Sequence, residues 1–392
     1  MSAISCTRPA NTCIILNPAQ FAASFFVLFD EQENGQKHLE IGLHFIYNAV
    51  VYKRLRKKVY HMATLKDVAK LANVDVSTVS RALNNTSYVH PDTKERIYAA
   101  AKELGYHPNV MAQALRQGKR HTIGVVVPRL HMAIFSEILQ GIEQQAGELG
   151  YGTLICTTND NPKTEKECLN RLRSGFVDGI IIAATGRNGR LLKDIQASGI
   201  AVTQLVRRQE LELSSVVADY EACGHDAVTY LHGKGCKEIG LITGDLHLAP
   251  YKGRYDGYRR GVSELGLEEI TSESNREVNS FRYGYDCANQ LLDENPDLDA
   301  IMASVDVQGL GAIRAATERG LRVPEDIKVI SLTGHRVGRM LETTMTSMEM
   351  PAFEMGRSAA KMIIDDIEAD SKHKPGRRHL TFATTLVERE ST

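Results

Sequence analysis

The feature that most constrains the fold of this chain is the regular alternation of short apolar runs with helical stretches in its last two thirds. The apolar runs have the length of buried β-strands and occupy residues 123–127, 153–157, 179–183, 201–206, 238–243, 300–304 and 327–332. Strands that alternate with helices form parallel, doubly wound sheets. Because about 270 residues of this pattern exceed a single ordinary core, the sequence predicts a two-lobed α/β domain over residues 122–392. Ligands bind such folds at the carboxyl ends of the strands, so the cleft between the lobes is the expected pocket.

Residues 62–107 carry a different pattern, one of three short helices. Thr64 and Asp67 have the spacing of a capping box at the start of a first helix, and a tight turn separates this helix from a second over residues 76–84. A third helix is expected to begin with Pro91 at the first helical position, where proline is favoured. Two short helices joined by a tight turn predict a small all-α helix-turn-helix headpiece over residues 62–107.

The net charge of −1 conceals an uneven distribution along the chain. Residues 62–121 contain nine lysines and arginines against five acidic residues, a net charge of +4, and residues 1–61 carry +3. The rest of the chain therefore carries −8. A basic front and an acidic body are typical of a protein that presents one end to nucleic-acid phosphates, although charge taken alone would be explained better by a solvated surface.

The seven cysteines form no close pair and no metal-ligand spacing. We interpret them as reduced, mostly structural cysteines of a cytoplasmic protein, and we expect neither a metal nor a cofactor. No apolar run approaches the roughly 18 residues of a membrane span, and the first residues lack the pattern of a signal peptide. Since no nucleophile with a base, metal cluster or phosphate-binding loop stands out in the sequence, we do not expect an enzyme.

Residues 1–61 have mixed patterning, no clear helix caps and a cluster of five lysines and arginines within residues 53–58. We interpret them as an atypical N-terminal extension that lies upstream of the true start at Met62. The alternative is a basic arm that contacts DNA.

The segment from Thr64 to Asn84, TLKDVAKLANVDVSTVSRALN, resembles the DNA-binding headpiece of the LacI/GalR family of bacterial transcription regulators. The likeness extends more loosely through an α/β body that resembles the sugar-binding domain of periplasmic binding proteins. It implies a repressor that binds double-stranded operator DNA as a homodimer or a tetramer, with the body also serving dimerisation. A small-molecule effector, a sugar or sugar derivative, would control it from the interlobe cleft. The alternative is a sugar-uptake binding protein without a DNA role, which the headpiece and the missing export signal argue against.

The resemblance places the second helix in the major groove of DNA, where Val76, Ser77 and Arg81 face base edges or phosphates. Arginine can grip guanine with two hydrogen bonds, whereas serine and valine carry less sequence information. Val79 and Leu83 are expected in the headpiece core instead. Contacts to the DNA backbone are expected from Thr64, Thr78, Asn84 and Tyr88.

Residues 108–121 are implied to form a hinge helix and a linker. Asn109 is expected to cap this helix, and Leu115 matches the family's hinge leucine, which wedges between base pairs in the minor groove. Arg116, beside it, would meet phosphates. The alternative is that Leu115 packs against its own headpiece.

In the body, Arg254 and Asp306 stand where the family keeps its polar ligand contacts. A guanidinium donates in a fork and a carboxylate accepts from vicinal hydroxyls, so the pair suits a polyhydroxylated ligand. An ordinary salt bridge between the lobes is the alternative. Further candidates for the cleft are Ile134 and Phe135 at the wall of the first lobe, Phe281 at an aromatic stacking position, and Asp219 after a strand.

The chain departs from the family near the expected cleft. Val305 replaces the usual asparagine before the pocket aspartate, and the segment from Leu332 to His335 replaces a Gly-Phe-Asp-Asp motif. The segment from Met132 to Phe135 replaces Asn-Pro-Phe-Phe. These changes remove polar groups and leave the identity of the ligand open.

Overall fold

The computed structural model describes residues 63–84, 87–106, 119–334, 336–369 and 376–392. The chain divides into two compact units, and the division falls after Pro108. The described part of the first unit is a three-helix headpiece, and the described part of the second is an α/β body.

The headpiece consists of α1 (Leu65–Ala72), α2 (Val76–Asn84) and α3 (Pro91–Glu103). The predicted capping box is confirmed, because the Thr64 hydroxyl accepts from the Asp67 amide and the Asp67 carboxylate accepts from the Thr64 amide. Val68, Val79 and Ile97, one from each helix, are fully buried and form the centre of a small core. The three helices thus lie where the sequence predicts them.

The turn between α1 and α2 depends on one residue in the left-handed region. Asn73 has a φ of 50°, and its amide donates to the carbonyls of the last turn of α1. Asparagine tolerates this conformation better than most residues with a side chain. After α3 the chain turns at Gly105, whose φ is 59°. Leu83 packs partly buried against the headpiece core, on the same side as Val79.

The described part of the body contains twelve strands and eight α-helices. The strands are β1 (Thr122–Val127), β2 (Gly152–Thr157), β3 (Gly179–Ile182), β4 (Ala201–Leu205), β5 (Ser214–Ala218), β6 (Ile239–Ile242), β7 (Ile270–Ser272), β8 (Ala300–Ala303), β9 (Lys328–Ser331), β10 (Thr346–Glu349), β11 (His379–Phe382) and β12 (Thr385–Val387). The helices are α4 (Ala133–Glu148), α5 (Pro162–Arg173), α6 (Gly189–Ala197), α7 (Tyr220–Gly233), α8 (Ala249–Leu265), α9 (Phe281–Glu294), α10 (Asp306–Glu318) and α11 (Ala352–Glu368). A short 3-10 helix spans Arg336–Met340.

The strands form two six-stranded sheets, one in each lobe. The first sheet has the order β11-β5-β4-β3-β1-β2 and is parallel throughout. The second has the order β12-β10-β9-β8-β6-β7 and is parallel except where β12 pairs with β10. This arrangement confirms the predicted two-lobed α/β architecture.

Each sheet is covered on both faces. In β1, Val125 packs into the core that α4 and α11 complete, while Val126 packs into the core that α5 and α6 complete. In β6, Leu241 and Ile242 enter opposite cores of the second lobe in the same way. Strands buried on both faces are continuous apolar runs, and for this reason the sequence reveals them.

The chain passes between the two sheets three times. It leaves the first lobe between β5 and α7, returns between β10 and α11, and leaves again between β11 and β12. The three crossovers are residues 219, 350–351 and 383–384. Neither lobe is therefore one continuous segment, and any change in the angle between the lobes must be absorbed at these crossovers.

The run at residues 153–157, predicted as a buried strand, is instead the edge strand β2. Leu154 and Ile155 are 40% and 45% exposed, on opposite faces of the strand. The strand carries apolar residues on both faces, although it pairs with only one neighbouring strand, β1. Within the described residues, no helix is both long enough and apolar enough to cross a bilayer.

Candidate functional site

The outer face of α2 is the first candidate site. The helix buries Val79 and Ala82 against the headpiece, which leaves Ser77 and Arg81 on its exposed side. The Arg81 guanidinium donates to the Ser77 hydroxyl over 3.3 Å, one helical turn away, and Val76 is also exposed. The three residues expected to read bases therefore share an accessible helix surface.

The other headpiece residues that are expected to contact DNA differ in their burial and in the hydrogen bonds that their side chains form within the protein. The Thr64 hydroxyl donates to Asp67 over 2.6 Å within the capping box, and the Asn84 amide donates to the Ser80 carbonyl over 2.8 Å. Thr78 is half-buried and Tyr88 is almost fully exposed. Asn109, Leu115 and Arg116 lie outside the described residues.

The second candidate site centres on Arg254, a buried residue of α8. Its guanidinium carbon lies 5.0 Å from the centroid of the Tyr220 ring, and Nη2 lies 3.8 Å from the Met350 sulfur. Tyr220 directly follows the crossover at residue 219, and Met350 lies in the crossover at residues 350–351. Nε is buried without a hydrogen-bond partner, and no described carboxylate forms an ion pair with this arginine. The predicted alternative of a salt bridge to Asp306 is therefore not formed between these two described residues.

Asp306 is the first residue of α10 and lies three residues after the last residue of β8. Its Oδ1 accepts from the Ser331 hydroxyl and, over 3.0 Å, from the Gly334 amide. Its Oδ2 is buried and has no partner. The carboxylate is thus held by neutral donors with one oxygen left to accept.

Three charged residues that sequence reasoning missed stand at the carboxyl ends of β1, β2 and β4. Asp160 accepts from Arg129 and from Arg207, each over 2.5 Å. Asp160 and its neighbour Asn159 both have positive φ, 56° and 51°, a conformation that costs energy and recurs at functional sites. Each of these charged residues follows a strand of the first sheet. This position at a strand's carboxyl end is the signal in the sequence that could have identified them.

Tyr251 of α8 lies where charges from both lobes converge. Burial raises the pKa of its phenol, while the charges of Arg254 and Arg207 act in the opposite direction. Its hydroxyl donates to the Asn279 side chain over 2.6 Å. Its ring packs with Val305, the residue before Asp306, in a small apolar cluster. Tyr251 thus lies beside the residue that precedes Asp306 and is influenced by the charges of Arg254 and Arg207.

Tyr220 connects Arg254 to Arg207. Its hydroxyl donates to the Val206 carbonyl over 2.9 Å, one residue before Arg207. Burial raises the pKa of Tyr220 to about 12, and the charges of Arg254 and Arg207 oppose that rise. The charges of both guanidiniums therefore act on one buried phenol.

The four remaining predicted ligand residues occupy different surroundings. Ile134 and Phe135 are buried in the same hydrophobic cluster as Tyr220 and Met350, the two residues that Arg254 contacts. Asp219 caps α7 by accepting from the Ala222 amide over 2.9 Å. Phe281 is 44% exposed, with its ring 6.3 Å from that of Tyr285. None of the four is hydrogen-bonded to Arg254 or Asp306 in the part of the body that the structure describes.

A cavity of about 670 Å³ lies elsewhere, at the amino ends of the first sheet's strands. Arg120 and Asp178, which form an ion pair, are in its lining. Parallel sheets bind ligands at the opposite edge, so we do not assign the effector to this cavity. Within the described ranges, no group of three or more metal-ligating side chains forms a metal site.

The sequence matches two known families. Residues 64–109 match the bacterial regulatory proteins of the lacI family, and residues 228–392 match the periplasmic binding protein-like domain. The ribose operon repressor of Halalkalibacterium halodurans is 30% identical over 331 residues, which cover 84% of this chain and 97% of that protein. The HTH-type transcriptional repressor PurR of Haemophilus influenzae is 31% identical over 308 residues, 78% of this chain and 91% of that protein.

A solved structure shows the same architecture. The lac repressor dimer bound to operator and the anti-inducer ONPF aligns with a TM-score of 0.74 at 25% identity. The alignment covers 84% of this chain and 99% of the repressor chain.

Proposed function

Because this chain belongs to the lacI family of bacterial regulatory proteins and is therefore a DNA-binding transcriptional regulator, we propose that it represses transcription from a palindromic operator under the control of a cleft-bound effector. The observation that carries the proposal is a pair of buried polar atoms without partners, Arg254 Nε and Asp306 Oδ2. Buried polar atoms are almost always satisfied in native proteins. We therefore assign these two groups to a ligand.

The DNA-binding part of the proposal rests on α2. The exposed side chains of Arg81 and Ser77 support a role in the major groove, with Val76 beside them. A homodimer would present two such helices to the two halves of a symmetric operator. The remaining contacts that we propose are Thr64, Thr78, Asn84 and Tyr88 to the DNA backbone, Asn109 and Arg116 in the hinge, and Leu115 as a minor-groove wedge.

The effector that we propose is a sugar or a sugar derivative. A guanidinium fork and a carboxylate with an unfilled acceptor suit vicinal hydroxyls. One relative is named as the repressor of a ribose operon, which supports this class. The proposed binding residues are Arg254 and Asp306, with Ile134, Phe135, Asp219 and Phe281 in supporting positions around the cleft.

We further propose the organisation of the chain along its length. Residues 1–61 are an N-terminal extension, residues 62–107 the headpiece, residues 108–121 the hinge and linker, and residues 122–392 the effector-binding and dimerisation body. The protein would act in the cytoplasm as a homodimer, with a tetramer as a higher assembly, and without catalytic activity or a cofactor.

The experiment that tests the function is a selection of operator sequences from a random duplex library with the full chain, followed by titration of the selected complex with sugars. We expect a palindromic site, and we expect at least one sugar or sugar derivative to change its affinity. Enrichment of no sequence would contradict the DNA role. An operator whose affinity no sugar or sugar derivative changes would contradict the control that we assign to the cleft.

A further inference from the structure

The described end of the linker is fixed to the first lobe at two points. The Arg120 amide donates to both carboxylate oxygens of Asp178 over 2.9 Å, and the Thr122 amide donates to one of them over 3.3 Å. The ammonium of Lys119, the first described residue of the linker, lies 2.5 Å from a carboxylate oxygen of Glu368. Asp178 directly precedes β3, whereas Glu368 is the last residue of α11. The linker is therefore held at the start of a strand and at the end of a helix.

The end of α11 that meets the linker carries negative charge that other segments neutralise. Its last turn contains Asp365, Asp366 and Glu368 and no basic residue. Acidic residues are unfavourable at this end of a helix, because the helix dipole already concentrates negative charge there. Arg378 pairs with the two aspartates over 3.3 and 2.6 Å, and Lys119 pairs with the glutamate. The local cost of each carboxylate is thus offset by a cation from outside the helix.

A second partner fixes the orientation of Glu368. The hydroxyl of Tyr151, a buried residue, donates to Oε1 over 2.5 Å, while Lys119 donates to Oε2. The hydrogen bonds from Lys119 and Tyr151 lower the pKa of Glu368, so its carboxyl group stays ionised at neutral pH. The Tyr151 ring also lies 5.2 Å from the ring of His121, a linker residue with a φ of 48°. Glu368, Tyr151 and the linker thus form one connected group.

The helix that carries Glu368 is itself firmly held. α11 has 17 residues, about 25 Å of helix, and its first residue directly follows the crossover at residues 350–351. It packs backbone to backbone against α4, since a Cβ at Gly356 would stand 2.1 Å from the Ile138 carbonyl oxygen. Close packing of this kind limits how far a helix can shift. The end of the linker is therefore attached to an element that keeps its position in the lobe.

We propose that Glu368 is a positioning residue for operator binding, which holds the linker through Lys119 at the end of α11. The inference rests on the proposed function, in which residues 108–121 are hinge and linker, and it names a contact that this assignment leaves unspecified. A linker that is already held in the free protein loses less conformational freedom when the headpiece binds DNA. Operator affinity should therefore depend on this ion pair, although neither of its residues belongs to the headpiece.

Removal of the Glu368 charge distinguishes this role from a purely electrostatic one. If Glu368 influenced DNA only through its charge, Glu368→Gln would strengthen DNA binding, because a negative charge that repels phosphates would be lost. If Glu368 positions the linker, the same variant of the full chain should bind the selected operator more weakly. The expected loss is about two- to fivefold, the range that an exposed ion pair contributes. Fluorescence anisotropy at one ionic strength measures the change.

Trypsin supplies a local readout that needs no DNA. It cleaves after lysine and arginine residues, and cleavage after Lys119 requires this residue to leave Glu368. Glu368→Gln should accelerate the cleavage by about two- to fivefold, because its rate follows the population of the opened form. The melting temperature should hardly change, since the side chains of the pair are 38% and 47% exposed. Mass spectrometry identifies the fragment that begins at Arg120.

Two comparisons assign these effects to the ion pair. Glu354→Gln removes the same charge from the first turn of α11, where Glu354 is exposed, and should alter neither operator affinity nor cleavage. Lys119→Glu and Glu368→Lys should each weaken operator binding. The double variant, which restores an ion pair in the reverse order, should recover part of the loss.

The outcomes separate this inference from the proposed function. Unchanged or stronger operator binding by Glu368→Gln would overturn the inference, as would unchanged cleavage after Lys119. Effects of the two reversed charges that simply add would also contradict it. If the selection enriches no operator, the proposed function has failed, and the cleavage rate still decides whether Glu368 holds the linker.

Discussion

Arg81 is the residue on the exposed face of α2 that we propose reads a base of the operator. Arg81→Ala should weaken binding to the selected operator by about 1–3 kcal/mol and relax specificity at one base position, because a two-pronged contact to guanine would be lost. Fluorescence anisotropy with operator and scrambled duplexes measures both effects. Arg96→Ala, an exposed arginine of α3, is the control. Equal losses on the two duplexes would show that Arg81 contacts only phosphate.

Substitution of Asp306 tests whether this residue binds ligand or only stabilises the fold. Asp306→Asn keeps an oxygen to accept from Ser331 and Gly334 but removes the charge whose Oδ2 has no partner. The melting temperature without ligand should therefore hardly change, while ligand binding should weaken by roughly 1–3 kcal/mol. Allosteric couplings are of the same size, so the effector should no longer alter operator affinity. A lowered melting temperature with undiminished ligand binding would contradict the assignment.

At the residue scale, the sequence identified groups that a family places at fixed positions and missed groups that only the fold brings together. Arg254 and Asp306 were found through the resemblance, and both have an orphaned buried atom. Arg129, Asp160 and Arg207 are far apart in the chain and become neighbours only because β1, β2 and β4 end at one edge of the sheet. No local sequence pattern predicts that these three residues come into contact.

At the element scale, the packing of α7 on α8 fixes the backbone that carries Arg254. A Cβ at Gly224 of α7 would stand 2.1 Å from the Arg254 carbonyl oxygen, so one of the two helices would have to move. Gly224→Ala should destabilise the body by roughly 1–3 kcal/mol, the usual cost of overpacking. It should also weaken the effector response. Denaturant unfolding and a ligand titration check the two effects.

Gly233→Ala is the matched control for this contact. Gly233 lies at the end of the same helix, and an added Cβ would meet nothing within 4 Å. Its replacement should leave stability unchanged or raise it slightly, because alanine favours the helix. If both variants lose the same stability, close approach of the two helices is not the cause.

The elements differ in how far the sequence could predict them. The capped helices of the headpiece and the apolar strands β1, β3, β4, β6, β8 and β9 have patterns that only one structure satisfies. The sequence did not reveal β7, β10, β11 and β12, which have three or four residues each, several of them Thr, Ser or His. Their place in the sheets comes from the neighbouring strands, which supply their hydrogen bonds.

At the scale of the whole molecule, the two lobes of the body are joined by an ion pair as well as by the crossovers. Glu277→Gln removes the second-lobe partner of Arg129. Because Glu277 is half exposed, the stabilisation lost with the ion pair should be modest, about 0.2–1 kcal/mol. This difference should vanish at high salt. We expect a correspondingly weaker affinity for the effector, measured by calorimetry at low and high salt.

Glu273→Gln provides the comparison for this prediction. Glu273 is exposed on the same loop and forms no ion pair with a described residue. Its replacement should leave effector affinity unaltered at either salt concentration. A similar loss in both variants would mean that the general charge of the loop, rather than the pair with Arg129, is responsible.

The three crossovers also determine when each lobe can complete its sheet during translation. A ribosome completes the residues of the headpiece early, so the headpiece can fold while the rest of the chain is still being translated. The first lobe cannot close its sheet until β11 has been synthesised, although its first strand lies more than 250 residues upstream. The second lobe waits for β12, only a few residues later. Both lobes therefore mature almost simultaneously, and during most of translation a nascent chain carries a finished DNA-binding module without the domain that regulates it.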